Sequence, residues 1–436
     1  MGKNAIMTAN QARPVRELIA GGVFGDIKNP DDVSLVADRG KGAKLWTIDG
    51  REFTDYELGS GPMVLGHAHP VVVEAIREQA GRGTHFHLMN EAALGLASRV
   101  AQHVPCAESL KFVSDGAQAT FFSLRFARAF TGRNKILKFA GAYHGHHDYA
   151  QHAQRDATGG AGIAERADTA GIPQQISSQV LVCPFNDLGS VEKLVAEFGS
   201  DLAAIIVEPI QRAILPAPGF LQGLRAICDR IGAMLVFDEI VTGFRVSLGG
   251  AQQLYGVTPD LCALGKIMGG GLPIAAVAGR RDILELSIPQ RKADGRSIFL
   301  SGTLNGNPLC CVAGVATLDT LIACRGVEKI ARAGERLRQG FEENARRLSI
   351  PFQMIGHPAF AQPVFTDRPI RSYADFASAN RDISRRFGIE MIKLGQNVLL
   401  GGKFYISTEH NDEIVSQTVE AGYRAMKTMQ EAGVLN

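Results

Sequence analysis

The chain has 436 residues, 45% hydrophobic and 21% charged, with 46 Lys plus Arg against 44 Asp plus Glu. This is the composition of a globular protein long enough for two or three domains, and a formal charge of +2 argues against a nucleic-acid binder or a polybasic membrane module. Seven cysteines without a CxxC pair point to a reducing, cytoplasmic setting, and no stretch reads as a signal segment or as the roughly 18 apolar residues of a membrane span.

Residues 12–20 are expected to form a short helix. Residues 44–55 read as a hairpin turning at Asp49-Gly50. A helical pattern follows Pro70 through Val71, Val72, Ala75, Ile76 and Ala80, and a second helix spans about 91–104. Then apolar runs alternate with helices. Strands are expected at 110–113, 135–139, 203–207, 233–237, 261–264 and 275–278, with helices at 117–131 and 220–231. Continuous apolar strands separated by helices predict an α/β fold whose central sheet is mostly parallel and covered on both faces. From about residue 325 the pattern turns to Arg- and Glu-rich helix and strand pieces. The expected division is residues 1–65 as a segment packing with a small domain, 66–324 as a large domain, and 325–436 as a small α+β domain.

Ligands of open α/β sheets bind at the carboxyl ends of the strands. The polar residues just past the predicted strands are Ser114-Asp115-Gly116, Tyr143-His144-Gly145, Glu208-Pro209-Ile210-Gln211-Arg212, Asp238-Glu239 and Lys266. A lysine, a buried aspartate, an aromatic ring and a turn entering a helix suit pyridoxal 5′-phosphate. That cofactor needs a lysine for its aldehyde and an acid for its pyridinium nitrogen.

Several stretches carry a family resemblance. They are residues 126–133, Tyr143-His144-Gly145, residues 216–221, Phe237-Asp238-Glu239-Ile240-Val241-Thr242-Gly243-Phe244-Arg245, Leu264-Gly265-Lys266 with Gly269-Gly270-Gly271, and Ser301-Gly302-Thr303 before Asn307-Pro308. In this order they resemble the class III aminotransferases of fold type I, and among them the glutamate-1-semialdehyde aminomutase subgroup. The resemblance implies Lys266 as the lysine that holds the cofactor as an imine, and Asp238 as the partner of the ring nitrogen. It implies Tyr143 and Ile240 on the two ring faces and Glu208 on the cofactor side. The phosphate is expected at the start of the helix after Asp115, on the N–H groups of Gly116 and Ala117. Thr303 is expected to reach the phosphate from a neighbouring subunit, which makes a homodimer with a shared site. No metal is implied, and the histidines near 144 are read as lacking partners for one.

The departures from the subgroup are equally specific. Relatives read Ser-Gly-Thr where this chain has Asp115, Gly116 and Ala117, so a carboxylate stands beside the expected phosphate. It must turn away, pair with a cation, or weaken the cofactor. Gly21-Gly22-Val23 is followed by Phe24-Gly25-Asp26-Ile27-Lys28, without the substrate-binding Arg. Ser60 replaces a Trp, Gly401 a Glu, and Ala213 an Asn. These changes point to a related enzyme with another substrate. Arg212 is the candidate replacement anchor for a substrate carboxylate, and Gln211 is a candidate for the ring hydroxyl. The leading reading is an aminotransferase acting on a small amino donor and a keto acceptor. The alternatives are an aminomutase or racemase, a non-catalytic dimeric relative, and, weakly, a dinucleotide-binding oxidoreductase.

Overall fold

The computed structural model describes residues 16–25, 29–155, 160–295 and 297–435. Its centre is an eight-stranded sheet. The strands are β4 (Ser109–Val113), β5 (Lys135–Phe139), β6 (Gly162–Ile163), β7 (Val180–Cys183), β8 (Leu202–Val207), β9 (Met234–Asp238), β10 (Leu261–Leu264) and β11 (Ala275–Gly279), in the spatial order β4-β11-β10-β9-β8-β5-β7-β6. From β10 to β7 every pairing is parallel. β11 runs antiparallel to both its neighbours, and β6 to β7.

Every residue of β8 and β9 is buried, which is why these segments read as unbroken apolar runs. Alternate residues feed opposite faces. Ile205, Val207, Leu235 and Phe237 join one apolar cluster, and Ala204, Ile206, Met234 and Val236 join the other. Helix α3 (Gly116–Thr131) covers the second face through Ala119, Leu124, Phe126 and Ala127, and a helix at Phe220–Ile231 covers the first through Leu221, Leu224 and Ile227. Two earlier helices, α1 (Pro70–Arg82) and α2 (Glu91–His103), match the expected ones.

The chain ends build two further sheets. β1 (Ala37–Lys41), β2 (Lys44–Thr47) and β3 (Glu52–Asp55) form an antiparallel meander. Gly50, at φ +86°, turns the expected hairpin in a conformation that a side chain rarely adopts. β3 then pairs in parallel with β14 (Gln396–Asn397), so the first strands are sewn to the last third of the chain. β12 (Gln353–His357), β13 (Phe360–Val364) and β15 (Phe404–Tyr405) form an antiparallel sheet beside the long helix Gly326–Arg347, on which the helix Asp412–Glu431 packs in turn.

The expected helix over 12–20 is not present in its described part. Single 3₁₀ turns occur at Arg16–Leu18 and Ala20–Gly22, interrupted by Gly21 at φ +70°; residues 12–15 lie outside the described residues. Strands β1, β6 and β7 are additions to the sequence reading, and Val180-Leu181-Val182-Cys183 carries the same four-residue apolar signature as β10. Among the described residues no single helix is long and apolar enough to cross a membrane.

Candidate active site

The parallel strands β5, β8, β9 and β10 end on one side of the sheet, and the chemistry-bearing residues follow them. A cavity of about 260 Å³ there is lined by Asp115, Gly116, Ala117, Thr120, Tyr143, His144, Gly145, His146, Glu208, Asp238, Ile240, Val241 and Lys266. It is slightly smaller than the roughly 300–1,000 Å³ of common ligand pockets.

The entry to α3 forms one wall. Asp115 is its N-cap: Oδ1 accepts the Gln118 backbone N–H at 2.9 Å and Oδ2 accepts from the Gln118 amide at 3.2 Å. Of the three options for this carboxylate, the structure shows it turned onto its own helix. Ala119 N–H goes to the Asp115 carbonyl. The N–H groups of Gly116 and Ala117 therefore remain without an acceptor among the described residues, at the positive end of a 16-residue helix. Close packing keeps this cup open. A Cβ on Gly116 would come within 3.0 Å of Ile240, and one on Gly145, at φ +98°, within 2.5 Å of the Ala117 Cβ.

Asp238 ends β9 and is buried. Oδ2 accepts from His144 Nδ1 at 2.8 Å, and Oδ1 accepts the Ile240 N–H at 3.1 Å. Arg245 does not pair with it. That guanidinium donates to the carbonyls of Val241 and Gly61. Next door, Glu239 is sealed in the core and accepts the N–H groups of Ala251 and Gln252, so the two adjacent acids face different tasks. Lys266 stands at φ +48°, a conformation that costs a non-glycine residue about 1–3 kcal/mol and persists only where its surroundings enforce it. Its ammonium makes no hydrogen bond or ion pair among the described residues, and burial lowers its pKa, opposed by the charge of Asp238.

Tyr143 follows β5 and keeps 42% exposure. Its backbone N–H points to Glu208 Oε2 at 3.4 Å. The Arg212 guanidinium sits 5.3 Å from its ring and donates through Nε to the Gly141 carbonyl at 3.1 Å. Thr120 Oγ1 donates to the His144 carbonyl at 2.5 Å, tying the Tyr143 loop to α3.

Lys266, Asp238, Tyr143, Gly116, Ala117, Asp115, Glu208 and Ile240 thus share one cavity. Arg212 lies behind Tyr143 and outside the lining. Gln211 does not face the cavity as the sequence reading suggested. It is fully buried, and its amide donates to the Ala140 carbonyl at 2.7 Å. Ser60 sits exposed on a turn at φ +65°, away from the lining, because the turn aims it outward. Thr303 is exposed and also outside this single-chain cavity. Asp26, Ile27 and Lys28 lie outside the described residues. His144 was missed as a partner of Asp238, because its neighbours His146 and His147 suggested only a metal question. Among the described residues no group of three or more His, Cys, Asp or Glu is placed to hold a metal ion.

A family model for aminotransferase class-III matches residues 27–421. The chain belongs to that family. A curated relative, glutamate-1-semialdehyde 2,1-aminomutase 2 of Brevibacillus brevis, is 38% identical over 94% of this chain and 95% of its own. Among solved structures, an omega-transaminase from Sphaerobacter thermophilus superposes with a TM-score of 0.91 at 30% identity, over 98% of this chain and 99% of that one. A transaminase with pyridoxal phosphate bound superposes with a TM-score of 0.89 at 27% identity, over 98% and 100%. The fold is fold type I of the pyridoxal phosphate enzymes, and pyridoxal 5′-phosphate is the cofactor.

Proposed function

We propose that this enzyme is a transaminase that moves an amino group between an amino acid or amine and a keto acid. The observation that carries the reading is the cavity where Lys266 and Asp238 meet the two unclaimed N–H groups of α3. When bound, pyridoxal phosphate supplies an aldehyde that accepts the amino group and a ring that withdraws electrons.

The residues fit that group. Gly116 and Ala117 offer N–H donors to a phosphate. Asp238, oriented by His144 and the Ile240 N–H, offers a carboxylate to a protonated ring nitrogen. Ile240 and Tyr143 offer an apolar and an aromatic face. Glu208 is 8% exposed and makes no ion pair among the described residues, which leaves its carboxylate to the cavity. The Lys266 amine, its proton loosened by burial, would hold the cofactor's aldehyde and would serve as the base for the proton on the substrate carbon bearing nitrogen. Thr303 completes the phosphate site from a second copy, in a homodimer. The exposed apolar side chains Leu88, Met89, Phe299 and Leu304 support such an interface. We place the domain boundaries at residues 65 and 324, with Arg212 beside the substrate.

The choice of transfer between two molecules rests on the substrate-side departures at Ser60, Gly401, Ala213 and the segment after Val23. The second reading is an aminomutase, favoured by the name of the Brevibacillus relative. The test is amino donors presented with and without a keto acceptor. Turnover that requires the acceptor supports transamination, and turnover of glutamate-1-semialdehyde alone supports the aminomutase. A Lys266→Ala variant is expected to lose activity and to leave no cofactor fixed to its peptide after borohydride.

A further inference from the structure

Lys138 sits in β5 between Leu137 and Phe139 and is fully buried. Strand alternation turns it to the face that Ile136 supplies to the second apolar cluster. An apolar side chain would continue this run, and a buried charge is costly unless its donors are matched. Here they are matched. An ammonium has three N–H donors, and three backbone carbonyls receive them: Ala150 at 2.8 Å, His152 at 2.5 Å and Ala142 at 3.3 Å. Lys138 makes no ion pair among the described residues. Burial lowers its pKa to about 7, opposed by Asp168 and Glu208; a neutral amine would still keep two of the three donors.

All three carbonyls belong to one loop without helix or strand. The Gly141 N–H closes it on the Ala153 carbonyl at 2.7 Å. Loops of this kind are ordinarily packed by their own side chains, and their buried carbonyls need donors. In this loop a lysine from the strand beneath supplies them. The loop carries Tyr143 and His144 to the cavity. Thr120 holds the His144 carbonyl from α3, and Asp238 holds the His144 ring. Lys138 grips both flanks of that pair, at residue 142 just before it and at residues 150 and 152 after it. We infer that Lys138 is a positioning residue for the cofactor: it fixes the loop so that the Tyr143 ring and the His144 imidazole arrive at set places. The inference rests on the places proposed above for those two side chains.

The test is binding of pyridoxal phosphate to the apo-protein, with the induced circular dichroism of the bound cofactor reporting how its ring is held. Lys138→Met keeps the stem and removes the donors. It is expected to weaken the cofactor about tenfold, about 1.4 kcal/mol, and to lower the induced signal per bound cofactor, while the far-ultraviolet spectrum of the apo-protein stays unchanged. A double-mutant cycle with His144→Phe separates positioning from general packing. Because Lys138 acts through the loop, the double variant is expected to bind less than about threefold more weakly than the weaker single variant. Losses that multiply overturn the inference. So does a Lys138→Met protein that binds within about twofold of wild type with an unchanged induced signal. Lys138→Gln replaces the methionine variant if that one does not fold; failure of both to fold assigns Lys138 to the core and overturns the inference as well. If Tyr143→Leu and His144→Phe each bind the cofactor as wild type does, the inference falls together with the site reading beneath it, and those two single variants distinguish that failure from a failure at Lys138 alone.

Discussion

Replacing His144 with phenylalanine removes one of two donors from Asp238. The bond is 2.8 Å long, and the two side chains are 1% and 5% exposed, so water cannot substitute without repacking. A hydrogen bond to a charged group contributes about 1.5–3 kcal/mol net. Taking about 2 kcal/mol, that much of the support for the Asp238 carboxylate is lost with the histidine. A protonated ring nitrogen opposite it loses about 30-fold in affinity, at about 1.4 kcal/mol per factor of ten. The assay is equilibrium binding of pyridoxal phosphate to the apo-protein, with 1-deazapyridoxal 5′-phosphate, in which carbon replaces the ring nitrogen, as control. His144→Phe is expected to weaken the natural cofactor about 30-fold and the control little. His144→Asn, whose amide can donate from nearly the same place, is expected to restore part of the loss. A phenylalanine variant within threefold of wild type, alongside an Asp238→Asn variant that loses binding, would show that His144 is only a spacer.

Three further outcomes follow from the same geometry. Gly145→Ala forces a side chain onto φ +98° and a Cβ to within 2.6 Å of the Ala117 backbone; it is expected to keep the fold and lose at least tenfold in cofactor affinity, and unchanged affinity refutes the tight cup. Asp115→Ala removes the N-cap of α3 and is expected to cost about 1 kcal/mol of stability, whereas Asp115→Ser keeps a cap, removes the charge and raises cofactor affinity; a serine variant that binds more weakly contradicts the repulsion. Burial holds His147 at a pKa of about 3 and His357 and His410 at about 4, so between these values and the ordinary 6.5 the folded state binds fewer protons than the unfolded one. Stability therefore rises with pH across that window and is lost as pH falls below about 6.5; a melting temperature at pH 5 equal to that at pH 7 would contradict it.

The main sheet was legible because buried parallel strands must be apolar along their length, and the runs Leu202–Val207 and Ala233–Phe237 satisfy that condition over six and five residues. Lys266 and Asp238 were legible because each interrupts such a run at its carboxyl end. His144 was not, since its partner lies 94 residues away and no local pattern signals that two strand ends meet. Gln211 failed for a local reason. A bridge between Gln211 and Ile214 folds the segment into a tight turn, and the amide donates to the Ala140 carbonyl. Lys403 was unreadable, because a lysine between Gly402 and Phe404 carries the signature of an exposed turn; only the fold shows it buried.

The phosphate cup shows how one substitution redistributes binding. A helix leaves four N–H groups unpaired at its start. In α3, Gln118 and Ala119 are satisfied by Asp115, and Gly116 and Ala117 remain. An aspartate cap secures the helix as well as a serine would, yet it places a negative charge within one turn of a dianion and spends part of the helix-end field on itself. The hydroxyls expected at positions 115 and 117 from the subgroup are gone as well. On the reading proposed here, the cup of one subunit therefore positions the phosphate with backbone alone. More of the cofactor's retention falls to the covalent bond at Lys266 and to the Asp238–His144 pair, so a substitution at His144 should release cofactor more readily in this chain than in relatives that keep both hydroxyls.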